Sequence, residues 1–401
     1  MSSSCDRRGF LRLGAGASAL ALLSACSTFD FGDSSATGPG ATAAPASGGA
    51  PTAGRSFGTG ATKVALLLPL SGDAQLAAVG TSMANAAQLA VEYVSGNAKI
   101  GDHITMLLLD TGATAGGAAA QASAALAAGA KLILGPLRAD QVAAAGGVAS
   151  AAKVPLIGFS NNPAVAAPGV YLLNVLPDSE MSRSLAYAKS KGVAKAMAGI
   201  FASGESGDAQ RAAFQQVASR LGAGIHGTYT FGSDGEMKTV IDQLAPILKA
   251  RNIDSIVMPD RASAPALANA IQRVGVARSS LTLIGSADWD GDRAILSTGY
   301  LNGAIYPAVD DTGYKALAPE YSARFGGTPH PFATIAYTAA ILANATPLVS
   351  AHYSAAALTT PGGFNGRDGV FRFLPDGRSQ YALIIKQISG GTAVRVEGPK
   401  L

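Results

Sequence analysis

The residues best suited to chemistry in this chain are short polar clusters set between apolar runs. Leu70-Ser71-Gly72-Asp73, Gly135-Pro136-Leu137-Arg138 and Ser160-Asn161-Asn162 lie in the first half. Ser203-Gly204-Glu205-Ser206, Asp260-Arg261 and Asp288-Trp289 follow. Hydroxyls, amides, carboxylates and a guanidinium beside glycines suit the holding of a small polar ligand. Free N–H groups at helix starts can bind an anion, and Arg138 can grip a carboxylate in two places. Ser71, Gly72, Pro136, Leu137, Arg138, Ser160, Asn161, Asn162, Glu205 and Asp288 form the candidate ligand-binding set. The same residue types also cap helices and close turns, so the ligand reading requires that the fold gather them.

Trp289 is the only tryptophan and stands among Asp288, Asp290 and Asp292. Trp289 with Asp290 is the candidate patch for a protein partner, since aromatic anchors dominate interfaces. The competing reading is a ring that plugs its own loop. A calcium loop is excluded, because Arg293 stands where the glycine is needed and no glutamate closes the loop.

Catalytic patterns are absent from the sequence. His103, His226, His330 and His352 are scattered, with no His-Glu-x-x-His pair, nucleophile elbow, phosphate loop or dinucleotide fingerprint. The two cysteines, Cys5 and Cys26, both lie near the N-terminus. The body of the chain therefore has no disulfide, thiolate metal site or cysteine nucleophile. A non-enzyme without cofactor or metal is expected.

The elements that would position the clusters alternate strictly. Val64-Ala65-Leu66-Leu67-Leu68 is a continuous apolar run, as in a strand buried on both faces. Helical patterns over about 74–94, 114–128 and 139–151 interleave with apolar runs at 104–109, 132–134 and 156–158. A second series runs from about 178 to 284, with the same strand–helix alternation. Two further helical patterns cover about 314–325 and 332–346. Pro375-Asp376-Gly377-Arg378 then reads as a turn between two strands. Such alternation predicts α/β lobes, each a parallel doubly wound sheet flanked by helices. At 401 residues the chain exceeds one ordinary core. In open parallel sheets ligands sit beyond the carboxyl ends of the strands, where the polar clusters fall.

The N-terminus reads as an address. Arg7-Arg8 precedes an uncharged stretch from Leu13 to Ala25, too short to span a bilayer. This is the pattern of a signal peptide over residues 1–25, twin-arginine-like. Leu23-Ser24-Ala25-Cys26 resembles a lipoprotein cleavage box with Cys26 as the lipidated residue. With Ser27 after it, the resemblance to sorted lipoproteins implies the outer membrane over the inner, on the side facing the periplasm. Residues 26–62, rich in Ser, Thr, Gly, Ala and Pro, read as a flexible tether with a reach of about 30–35 Å. Folded structure is expected from about Lys63. Beyond residue 25 the chain holds 27 basic and 25 acidic side chains. Such balance argues against nucleic acid as a partner.

Residues 63–72 (KVALLLPLSG), Gly135-Pro136, residues 154–160 (VPLIGFS) and the 369–377 pattern occur in the order found in the leucine-binding superfamily. The chain thus resembles type I periplasmic binding proteins over nearly all of its folded part. The resemblance implies lobe 1 at 63–175 plus 307–360 and lobe 2 at 176–306 plus 361–397. Leu68-Pro69-Leu70-Ser71-Gly72, Gly135-Pro136-Leu137, residues 286–290 (SADWD) and 321–329 (YSARFGGTP) are similar to penicillin-binding protein activator lipoproteins. That resemblance implies a tethered activator of a peptidoglycan synthase. The alternative is a solute-binding lipoprotein delivering an amino acid or other small polar ligand to an ABC permease.

Overall fold

The computed structural model describes residues 54–97 and 100–401. Cys26, the signal peptide and most of the tether lie outside these residues. Ordered structure begins earlier than Lys63. Strand β1 (Ser56–Phe57) pairs antiparallel with β3 (Ile104–Asp110) and buries Phe57, so the tether reading fails for its last residues.

Lobe 1 is built from β2 (Thr62–Leu68), α1 (Ala74–Ser95), β3, α2 (Ala115–Ala127), β4 (Leu132–Leu134), α3 (Ala139–Ala151), β5 (Leu156–Gly158) and β6 (Val170–Leu172). Its sheet has the order β1-β3-β2-β4-β5-β6, parallel except for β1. Val64 to Leu68 have no solvent exposure, because helices cover both faces of the strand. Each such leucine contributes about 1.5–3 kcal/mol by leaving water. Ala118, Ala122 and Ala125 of α2 share a core with Ala145 and Ala149 of α3. Small side chains let these helices approach closely.

Lobe 2 repeats the plan with α4 (Pro177–Ser190), β7 (Met197–Ala202), α5 (Glu205–Leu221), β8 (Ile225–Phe231), α6 (Asp234–Lys249), β9 (Ser255–Val257), α7 (Ala264–Arg273), β10 (Thr282–Ile284), α8 (Arg293–Ser297) and β11 (Ile305–Ala308). The chain then places α9 (Thr312–Phe325), α10 (Ala333–Asn344), α11 (Thr346–Ser350) and α12 (Ala355–Leu358) on lobe 1, where α10 lies along α1. Strands β12 (Phe364–Gly366), β13 (Gly369–Phe373) and β14 (Ser379–Tyr381) form a small antiparallel sheet. Finally β15 (Leu383–Ser389) and β16 (Thr392–Lys400) join the lobe 2 sheet, whose order is β16-β15-β11-β10-β9-β7-β8.

Two differences from the sequence reading follow from long-range pairing. The lobe 2 sheet is mixed, since β15 runs antiparallel to both β11 and β16. Residues 361–397 do not all go with lobe 2. Phe373 meets Tyr171 at 5.4 Å, and the Leu172 amide donates to the Gly377 carbonyl at 2.8 Å, so the β13–β14 turn is fastened to lobe 1. Both lobes nevertheless share one strand order in their parallel part, β3-β2-β4-β5-β6 and β8-β7-β9-β10-β11. Each order reverses beside its first long strand, which opens a crevice at the carboxyl ends of the strands. Among the described residues no helix is long and apolar enough to cross a membrane.

Candidate functional site

The loops after β2, β4 and β5 form the lobe 1 wall of the cleft. Ser71 and Gly72 are exposed there, at the start of α1. Their placement depends on Asp110, which ends β3 and was not among the sequence candidates. Its carboxylate accepts the amides of Leu70 and Gly112, both at 2.8 Å. Burial opposes the Asp110 charge, but hydrogen bonds from Ser71, Gly112 and Leu70 outweigh it and hold the carboxyl below its usual range. The signal available in sequence was the Asp110-Thr111-Gly112 ending of the strand.

The next loop divides into a buried and an exposed half. Gly135 has φ +80°, and a Cβ there would lie 2.1 Å from the Leu67 carbonyl oxygen. Only glycine fits. Pro136 is buried, and its carbonyl accepts the Phe159 amide at 2.8 Å. Leu137 is half-buried. Arg138 is exposed, and its Nε donates to Asp140 at 3.1 Å, in the first turn of α3. The guanidinium is thus tied along α3, which leaves it a weaker candidate for gripping an anion than its sequence position implied.

Ser160 is buried, and its Oγ accepts the Asn162 amide at 3.1 Å. Asn161 is half-buried, and its side chain makes no hydrogen bond among the described residues. Asn162 has both ends of its amide engaged. Its Oδ1 accepts the Ala164 amide at 2.9 Å, which orients its Nδ2 to donate to Glu205 Oε1. Glu205 begins α5 in lobe 2. This hydrogen bond joins the lobes directly.

In lobe 2, Ser286 donates to the Pro259 carbonyl at 2.6 Å and ties the loop after β10 to the loop after β9. Asp260 caps α7 through the Ser263 amide and hydroxyl, at 2.9 and 2.5 Å. Asp288 is open to solvent yet enclosed by protein on most sides. That burial raises its carboxyl above the usual range, with Arg261 opposing the effect and Asp260 adding to it. Behind it lies Glu180 of α4, itself buried. Burial first and the neighbouring Asp288 second push the Glu180 carboxyl well up, against the Ala287 amide that donates to it. Glu180 was missed in the sequence because a polar residue in a helix's first turn reads as surface.

The partner patch is not present as expected. Trp289 has no exposure, its ring centroid lies 6.2 Å from that of Tyr306, and it packs under Gly285. Asp290 accepts from Lys386 at 2.8 and 2.9 Å and from the Tyr306 hydroxyl at 2.9 Å. Trp289 is an internal fitting of lobe 2, while Asp290 stays exposed and is held by Lys386 and Tyr306.

Among the candidates, Asn162 and Glu205 are the pair that the structure joins across the two lobes. Hydroxyl and amide groups stand on the lobe 1 side, and the lobe 2 side carries Asp260, Asp288 and Glu205 with Arg261.

Comparison with known proteins agrees with this fold. The chain resembles a putative branched-chain amino acid ABC transporter protein from Rhodospirillum rubrum at 19% identity and TM-score 0.70, over 84% of this chain and 100% of that one. An ABC transporter substrate-binding protein from Desulfitobacterium hafniense, solved with Leu, gives 18% identity and TM-score 0.61, over 84% and 99%. A solute-binding protein from Rhodopseudomonas palustris, solved with 3,4-dihydroxybenzoic acid, gives 18% and 0.60, over 85% and 97%. At these identities the likeness shows the fold. No curated protein matches the chain. The sequence profile described as "Periplasmic binding protein" matches residues 61–389, and the chain belongs to that family.

Proposed function

We propose that this protein is a solute receptor that closes its two lobes around a small polar ligand carrying a cationic amine and delivers it to an ABC permease. The observation that carries this reading is the Asn162–Glu205 bridge over a cleft in which Asp288 is accessible but surrounded by protein. A carboxylate in such a place is costly to ionise alone, and a bound ammonium would offset that cost. The structural neighbours named above are ABC transporter proteins, which supports the receptor over the synthase activator. Burial of Trp289 removes the aromatic anchor from the candidate partner patch. Family membership supports a periplasmic location, and Cys26 remains the proposed site of a lipid anchor, to the outer membrane in preference to the inner.

A thermal-shift screen of the full chain against amino acids, amines and small carboxylates tests the proposal. A true ligand at 100 times its Kd adds about 2.7 kcal/mol of stability. Asp288→Asn should remove the shift for amine-bearing compounds. Should no compound shift the protein while a penicillin-binding protein is captured and its glycan polymerisation accelerated, the activator would replace the receptor.

A further inference from the structure

A second pocket lies at the junction of the lobes, away from the cleft. It holds about 190 Å³, room for a compact ion and a few waters. Asp178, Ser179, Ser182, Arg183 and Ala186 of α4 line it, with Gln216 and Arg220 of α5. Glu180 is not among these, since it leaves the same helix toward the Ala287–Asp288 loop. The opposite wall is Leu374 and residues 378–381, on either side of the turn fastened to lobe 1 through Gly377, and Lys400 and Leu401 at the end of β16 complete the lining. Lobe 2 thus supplies α4, α5 and the end of β16, while the β13–β14 segment is anchored on lobe 1 at Gly377 before it runs on into β15.

Its cations differ in how they are paired. Arg183 is buried and pairs with Glu397 at 2.6 Å, and the exposed Lys400 shares that carboxylate, also at 2.6 Å. Arg378 pairs with Asp178 at 3.2 Å and Asp376 at 2.8 Å. Arg220 donates to the Ser182 hydroxyl at 2.6 Å and has no carboxylate within 4.0 Å among the described residues. Ser182 Oγ and the amides of Gln216 and Gln380 add neutral hydrogen-bonding groups beside it. A guanidinium with neutral donors around a small concavity is the chemistry that recognises an oxyanion.

We propose that this pocket is a second ligand site, for a compact oxyanion of the carboxylate or phosphate kind, held by Arg220. Because its lining comes from α4 and α5 and from the β13–β14 turn, an anion there adds a tie between those segments. The site lies outside the cleft and stands whatever the cleft binds.

The test titrates the full chain with inorganic phosphate and, separately, with acetate, by calorimetry and by amide hydrogen exchange. Saturable binding at or below about 10 mM is expected, and the tighter of the two probes tells phosphate from carboxylate. Arg220→Gln and the pocket-filling Ala186→Met should each weaken binding about tenfold or more. Both positions are exposed, so the fold should persist. Asp288→Asn in the cleft should leave the affinity unchanged. With the anion bound, exchange across residues 374–381 should slow several-fold. No saturation, equal affinity in Arg220→Gln, or a response confined to Asp288→Asn would overturn the site. Unaltered exchange with binding intact would overturn the tie between the segments.

Discussion

The side-chain amide of Asn162 in lobe 1 donates to the carboxylate of Glu205 in lobe 2, while its own oxygen accepts the Ala164 amide. One residue therefore both caps a local turn and latches the cleft.

Asn162→Asp isolates the latch. The aspartate keeps an oxygen for the Ala164 amide but sets a second carboxylate against Glu205. Exposed charges interact weakly, by about 0.5–1 kcal/mol, so the closed population should fall about two- to fivefold. Small-angle scattering should report a larger radius of gyration at neutral pH. Asn162→Asp combined with Glu205→Gln should restore compactness, and equal expansion in single and double variants would refute the latch.

Trp289→Ala should cost about 3–5 kcal/mol, because a fully buried indole leaves a cavity. Gly285→Ala should cost about 1–3 kcal/mol by itself, since its Cβ would sit 2.2 Å from the ring. In the Trp289→Ala background the Gly285→Ala penalty should largely disappear, as contacting sites are not additive. Urea unfolding of the four proteins measures this. A surface role for Trp289 predicts near-zero change instead.

Asp368 gives the fold a pH dependence of unusual sign. It lies in the turn between β12 and β13, where burial pushes its carboxyl up to about 6 against a hydrogen bond from the Thr334 hydroxyl. Between about pH 4 and 6 the folded protein keeps a proton that the unfolded chain has released. This group's contribution to stability is therefore full at low pH and is lost as pH rises through about 6. Asp368→Asn should flatten that slope and stabilise the protein at pH 7 by up to about 3 kcal/mol. Denaturation midpoints from pH 4.5 to 7.5 check it, and parallel curves for the two proteins would rule the assignment out.

Cys26→Ser tests the anchor. The variant should move from the membrane pellet to the soluble fraction, because acyl chains contribute about 0.8 kcal/mol per buried methylene. Retention of the variant in salt-washed membranes would argue against lipidation at that residue.

What the sequence determined by itself is the series of elements. Val64 to Leu68 and the alanine face of α2 carry their physics within a few neighbours, and the expected strands and helices fall within a few residues of observed ones. The carboxyl-end loops were legible too, since alternation places them wherever the chains run. Tertiary structure decided which loop side chains are free. Arg138 looked available but is held by Asp140, and Trp289 looked like an anchor but is roofed by lobe 2. Glu180 looked like surface but backs Asp288, 108 positions away. The tie of Gly377 to Leu172 likewise joins segments about 200 residues apart. Local propensity sets backbone conformation within a turn or two, whereas exposure and charge state depend on whatever distant chain packs alongside. No spacing in the sequence encodes that neighbour.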